Sequence, residues 1–180
     1  GPNQTVISAC ASANDAIGYS LRLLRSGDVD IVISGGSEAS VSPLPMAGFA
    51  NMKALTQENN IPSEASRPFD LDRKGFVMGE GAGILVLETE DHAIKRNANI
   101  LAELSGYGAT DDAYHVTQPI EGGTGAVNAM RLAVEDGRFN LTEINYINAH
   151  GTSTYYNDKN ETAAIRTLFG SHAKSLKVSS

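Results

Sequence analysis

Cys10 and His150 are the residues whose type and setting could carry covalent chemistry. Cys10 follows Thr5, Val6, Ile7, Ser8 and Ala9, which read as a strand, and precedes Ala11 to Asp15, which read as the start of a helix. A helix N-terminus carries unpaired N–H groups and the positive end of the backbone dipole. Both favour a thiolate over a thiol and can hold an oxyanion beside it. Cys10 is therefore a candidate nucleophile, although a free cysteine also serves as a small buried apolar residue. A nucleophile of this kind needs a partner.

His150 follows the apolar run Ile144 to Ala149 and precedes Gly151, Thr152, Ser153 and Thr154, so it too stands at the carboxyl end of a strand. Open α/β sheets place their ligands outside those ends, so Cys10 and His150 can face one cleft. A satisfied structural histidine is the alternative at this point. His115, in the run Asp111 to His115 beside Thr117, reads as a hydrogen-bonded loop histidine on a segment that could roof a site. His92 and His172 read as solvated.

Two further patterns carry no chemistry. No grouping of Cys and His has metal-ligand spacing, so no metal is indicated. Gly79 to Gly83 lacks the Gly, Lys, Ser/Thr ending of a phosphate loop and precedes a strand, so it reads as backbone packing.

The elements that must position these residues follow from periodicity and punctuation. A helix to about Ser26 places Ala13, Ile17, Leu21 and Leu24 on one face, with Gly27 at its C′ position. Ile31, Val32 and Ile33, ending at Gly35 and Gly36, read as a buried strand, and Gly83 to Leu87 as a second. Between them, Ser37 to Phe76 reads as irregular, with Ala47 to Leu55 helical; so long a connection carries function or an interface. A short helix covers Glu90 to Arg96.

The pattern then restarts: a strand from Leu101 through Tyr107, a polar loop to Gly122, and a helix with Val127, Met130 and Val134 on one face. The strand from Ile144 precedes a helix opened by an Asp158 and Glu161 capping box and ended near Gly170. Lys177, Val178 and Ser179 begin a further strand. Alternating strands and helices predict an α/β fold with buried, mostly parallel sheets. Because Gly1 and Pro2 stand directly before the nucleophile strand and the chain stops within a strand, it reads as a fragment cut at both ends.

Composition narrows the function classes. The 180 residues are 41% hydrophobic and 19% charged, a globular composition. A net charge of -7 argues against nucleic acid, whose phosphates need a clustered cationic surface. One cysteine excludes an internal disulfide, and no run of about 18 apolar residues suggests a membrane span. A cytoplasmic location is the default.

Taken together, Ser8 to Ser12, Gly35 to Glu38, Arg67 to Asp70 with Gly75 to Val77, Gly79 to Gly83, Asp112 to His115 and Asn148 to Thr154 resemble the beta-ketoacyl-acyl carrier protein synthases of type II, condensing enzymes of thiolase fold. The resemblance covers the whole chain. It implies a layered αβαβα architecture of which this is the central portion: 1–98 the remainder of the N-terminal half, 99–180 the start of the C-terminal half.

The resemblance also implies roles. Cys10 would take an acyl chain from acyl carrier protein as a thioester, and its N–H would supply half of an oxyanion hole. Malonyl-acyl carrier protein would lose CO2, and its carbanion would attack that thioester, elongating a fatty acid by two carbons. His150 would match the first of two family histidines that stabilise the enolate. Thr152, Thr154 and Thr117 would hold the phosphopantetheine arm, and Phe49 would line the acyl pocket. No separate cofactor is implied; a homodimer is.

The family's following lysine, second histidine and oxyanion-loop phenylalanine lie beyond this chain, so the 180 residues alone are expected to be inactive. Ala13, where the family has glycine, and Tyr155, where it has proline, depart from the pattern and put the local loop geometry in question. The alternatives are a polyketide ketosynthase domain, a non-catalytic partner subunit that sets chain length, which the retained Cys10 disfavours, and a thiolase, which would need a second cysteine.

Overall fold

Ser12–Ser26 forms helix α1 in the computed structural model, which describes all 180 residues. The helix stops where the sequence predicts. Gly27 takes the left-handed conformation (φ 78°), and the N–H groups of Gly27 and Asp28 return to the carbonyls of Leu24 and Leu23, each at 3.2 Å. Helix α1 belongs to the first of two units, Gly1–Ala39 with Glu80–Tyr107.

In that unit α1 packs on strand β1 (Ile31–Glu38), which pairs with β2 (Gly81–Glu88) before helix α3 (Glu90–Lys95); helix α2 (Pro43–Asn51) belongs to the other unit. The register places Ile33 opposite Val86 and Gly35 opposite Ile84. A Cβ at Gly35 would come within 2.0 Å of the Gly83 carbonyl, so close backbone packing here requires glycine at Gly35; at Gly79, Gly81 and Gly83 a Cβ would meet nothing within 4 Å, which corrects the reading of that run as backbone packing.

Several expectations for this unit are corrected. The pairing of β1 and β2 is antiparallel, because apolar runs show that a strand is covered and not which way its neighbour points. Nor are the two strands buried: Ile33 is 74% exposed, Ile84 59% and Val86 58%, since α1 covers one face of the ribbon and these residues lie on the other. Thr5 to Ala9 and Leu101 to Tyr107 form no strands. The second segment is tied to α1 by side chains instead of a ladder: Tyr107 bonds Asp15, and Arg25 donates to the Ser105 carbonyl at 2.6 Å.

The second unit, Ser40–Gly79 with Gly108–Ser180, contains α2 (Pro43–Asn51), α4 (Thr124–Asp136), β3 (Tyr146–Asn148), α5 (Tyr155–Phe169) and β4 (Lys177–Ser179). Helix α2 begins four residues before the expected segment, because Pro43 and Pro45 occupy the first turn, where a missing N–H costs nothing. The core is the face where α4 meets α5: Val127, Ala164, Ile165, Leu168 and Phe169 are buried, with Met130, Ile144 and Ile147 packed against them. Strands β3 and β4 run parallel, Ile147 opposite Val178, and Ala149 N–H extends the ladder to Ser179 O at 2.7 Å. The mixture of helices and paired strands is an α/β fold. No helix is long and apolar enough to cross a membrane.

Candidate active site

Cys10 lies exposed in the single 3-10 turn Ala9–Ala11 that runs directly into α1. Ser12 holds this turn by accepting the Ser8 N–H at 2.9 Å and donating to Ala9 O at 2.7 Å. Ala9 has φ 52°, a left-handed conformation costing a non-glycine residue roughly 1–3 kcal/mol, so the bend beside Cys10 is kept by its surroundings.

Asp15, one turn into α1, supplies much of that support. Its carboxylate accepts the Ser8 hydroxyl on one oxygen and the Tyr107 hydroxyl, at 2.5 Å, on the other. Those bonds, Ser8's the stronger, hold the Asp15 carboxyl below its ordinary range against the opposing effect of burial. Burial first, and then the Asp15 bond, push the Tyr107 hydroxyl up to about 12. The departure at Ala13 has its answer in the same unit: a Cβ at Gly36 would lie 2.8 Å from the Ala13 methyl, so bare backbone at Gly36 leaves room for it.

His150 belongs to the other unit and stands, as expected, just past the carboxyl end of β3, exposed. Its backbone is pinned from α5: Glu161 accepts the N–H of His150 at 2.7 Å and of Gly151 at 2.9 Å, one on each carboxylate oxygen. Gly151 has φ 47°, and a Cβ there would come within 2.2 Å of the Ser180 Cβ. Ser153 is fully buried; its hydroxyl accepts Arg67 N–H at 3.1 Å and its carbonyl accepts Gly75 N–H at 3.0 Å.

The hydroxyls of Thr152 and Thr154 meet at 2.8 Å, so these two candidates are brought together. Thr154 is also the N-cap of α5, which corrects the expected capping box. With the helix starting at Tyr155, three residues before Asp158, that residue and Glu161 point to neighbouring loops instead of to their own first turn. Asp158, 1% exposed, accepts Phe69 N–H at 2.8 Å and lies 3.2 Å from Arg73 Nε. Arg73 in turn donates to Thr154 O at 2.9 Å and Tyr155 O at 2.8 Å. The Arg67 to Gly75 segment is thereby the brace of the His150 to Thr154 loop.

Thr117 lies on the polar loop of this unit, where its N–H and that of Gln118 donate to His115 Nδ1 at 3.2 and 3.1 Å. His115 is thus the hydrogen-bonded loop histidine expected. Phe49, on α2, packs edge-to-face on Phe76 with ring centroids 5.2 Å apart. The other two histidines are not simply solvated: His92 Nδ1 lies 2.7 Å from Glu88 Oε2, and His172 Nε2 lies 2.8 Å from Ile144 O. No cluster of three or more His, Cys, Asp or Glu has the geometry to hold a metal ion.

Sequence reasoning missed Asp15, Arg73, Ser153, and the roles of Asp158 and Glu161. All five act on backbone or side chains brought near by folding; the available signal was local and covered only Asp15, Asp158 and Glu161, acidic residues one to two turns into the helices that follow Cys10 and His150.

Comparison with known proteins extends this. The family model described as beta-ketoacyl synthase, N-terminal domain, matches residues 1–93, and the C-terminal domain model matches 101–180. The chain is 49% identical over 180 residues to the 3-oxoacyl-(acyl-carrier-protein) synthase 2 of Synechocystis sp., covering 100% of this chain and 43% of that protein. It is 49% identical over 176 residues to the mitochondrial 3-oxoacyl-(acyl-carrier-protein) synthase of Arabidopsis thaliana, covering 97% and 38%. A solved type II polyketide ketosynthase, bound to a hexaketide and in complex with its acyl carrier protein, matches with TM-score 0.91 at 39% identity over 94% of this chain and 42% of that one. The chain thus spans less than half the length of these relatives and has the fold of the ketosynthases.

Proposed function

From the premise that this chain belongs to the beta-ketoacyl synthase family, we propose that it carries part of the condensing site of a 3-oxoacyl-acyl carrier protein synthase of fatty acid elongation. The observation that carries the reading is the exposed thiol of Cys10 in the turn that feeds α1.

The Cys10 thiolate attacks the acyl thioester of acyl carrier protein; a carbon–sulfur bond to Cys10 forms as the carrier thiol leaves. In this reading the Cys10 N–H, ahead of α1, stabilises the tetrahedral oxyanion. Malonyl-acyl carrier protein then loses CO2, and the electron pair of the broken carbon–carbon bond passes into an enolate. An imidazole N–H from His150 donates to that oxygen, where a placed donor contributes roughly 3–4 kcal/mol. The enolate carbon attacks the acyl group and Cys10 leaves as thiolate. Thr152, Thr154 and Thr117 bind the phosphopantetheine arm, and Phe49 lines the acyl pocket.

Acyl carrier protein is the partner in this reading, supported by the solved ketosynthase complex, and the substrates it carries make a separate cofactor unnecessary. The same reading places the boundary between halves near residue 98, makes the enzyme a homodimer and locates it in the cytoplasm. The family models, which end at 93 and resume at 101, support the boundary. A polyketide ketosynthase is the second reading, favoured by the structural match at TM-score 0.91.

Mass spectrometry of the full-length protein after incubation with acyl-acyl carrier protein tests the assignment. An acyl adduct on Cys10 is the expected result; intact protein without one would overturn it. A product that has gained one two-carbon unit supports fatty acid elongation, and one that has gained several such units with no reduction between them supports polyketide assembly.

A further inference from the structure

A cleft of about 380 Å³ lies along α5, lined by Phe69, Arg73, Asp158, Lys159, Thr162 and Arg166 among others and not by His150. Helical spacing puts Tyr155, Lys159, Thr162 and Arg166 on one stripe, because residues at i, i+4, i+7 and i+11 share a face. The floor is charge-balanced: Arg73 is held by Asp158 at 3.2 Å and by the Asp70, Thr154 and Tyr155 carbonyls at 2.8, 2.9 and 2.8 Å.

The rim is not balanced. Lys159 reaches only Glu121, at 3.7 Å, and that carboxylate is 89% exposed, so the pair is worth little in water. Arg166 is exposed and forms no ion pair. In a chain of net charge -7, Lys159 and Arg166 bring two cations to the lining of one concavity. Beside them the Tyr155 ring lies 5.5 Å from the Arg73 guanidinium and 5.9 Å from Lys159 Nζ, and is 61% exposed.

We infer that this cleft is a binding site for a phosphate group, with Arg166 and Lys159 as its donors and the neighbouring Tyr155 ring as an aromatic contact for whatever the phosphate is attached to. A dianion matches two cations where a carboxylate would match one, and a planar guanidinium donates to two phosphate oxygens at once. The volume suits a small ligand. Neither Cys10 nor His150 takes part, so the inference stands apart from the proposed condensation.

Calorimetric titration of the full-length protein with inorganic phosphate and with phenyl phosphate, at fixed ionic strength in chloride, tests it. One saturable site per chain is expected, weakened about tenfold by Arg166→Gln, the loss of one charge-assisted hydrogen bond, and unchanged by Lys95→Gln on α3. Tighter binding of phenyl phosphate identifies an organic phosphate monoester as the ligand, and equal binding identifies the free ion; either result supports the site. Absence of saturable binding, equal binding by Arg166→Gln with its melting curve intact, or equal weakening by Lys95→Gln would overturn it.

Discussion

Glu161, two turns into α5, grips the backbone of His150 at 2.7 Å and that of the next residue, Gly151, at 2.9 Å. A helix residue thereby sets the position of a candidate catalytic histidine without touching its ring. Hydrogen bonds to a charged acceptor are worth about 1.5–3 kcal/mol each, and strand orphans when lost. Glu161→Ala should therefore lower stability by about 2–4 kcal/mol, and Glu161→Gln, which keeps one acceptor oxygen, by less. Hydrogen exchange at the His150 and Gly151 amides reads the effect directly; unchanged protection in Glu161→Ala would refute the grip.

The turn after His150 depends on glycine for two separate reasons. At φ 47°, with the Ser180 Cβ 2.2 Å from where a side chain would begin, Gly151→Ala meets both backbone strain and a clash. The expected loss is about 2–4 kcal/mol, summing a left-handed penalty and an overpacking cost. Urea unfolding measures it, and a midpoint within error of the parent would show that the chain at Ser180, just past β4, yields freely.

The proposed chemistry separates the two candidate residues kinetically. Cys10→Ala should abolish the acyl adduct in the full-length protein. His150→Ala should keep that adduct and lower condensation about 10²–10³-fold, the cost of one oxyanion donor. Equal loss of acylation in both variants would mean that His150 supports Cys10 and not the enolate.

How far the sequence reaches is clearest at these residues. Helix α1 with its Gly27 stop, and the placing of Cys10 and His150 at element ends, follow from patterns within about twenty residues. Asp158 does not, because its partners Phe69 and Arg73 lie more than eighty positions away and only folding brings them close. The antiparallel β1–β2 pairing escaped for a related reason: alternation and apolar runs are unchanged when a strand is reversed. The segment Leu101 to Tyr107 has strand composition, yet its Tyr107 and Ser105 contacts run to α1 side chains.

Acid should act on the β2–α3 junction. Glu88 accepts Arg96 Nε at 2.8 Å and lies 2.7 Å from His92 Nδ1; the Arg96 bonds, then the His92 bond, lower its carboxyl from 4.5 to about 2. Because the folded value is depressed, the contribution is fully present above pH 4.5 and is lost as pH falls from there towards 2. The stability difference between the parent and Glu88→Gln should hold constant above pH 4.5 and shrink below it. A difference that persists undiminished at pH 2.5 would refute the cluster.

Ala13 and Gly36 should behave as one unit. Gly36→Ala drives a Cβ to 2.8 Å from the Ala13 methyl and should cost about 1–3 kcal/mol by overpacking the α1–β1 contact. Ala13→Gly alone should cost about 1 kcal/mol, the ordinary loss of helix propensity. If the two methyls exclude each other, the double variant recovers the clash and is destabilised by less than the sum of the singles, with a coupling of about 1 kcal/mol or more. Chemical denaturation of the four proteins closes the cycle. Strict additivity would mean that the backbone shifts to admit both methyls, and that Gly36 does not explain how alanine is accommodated three residues after Cys10.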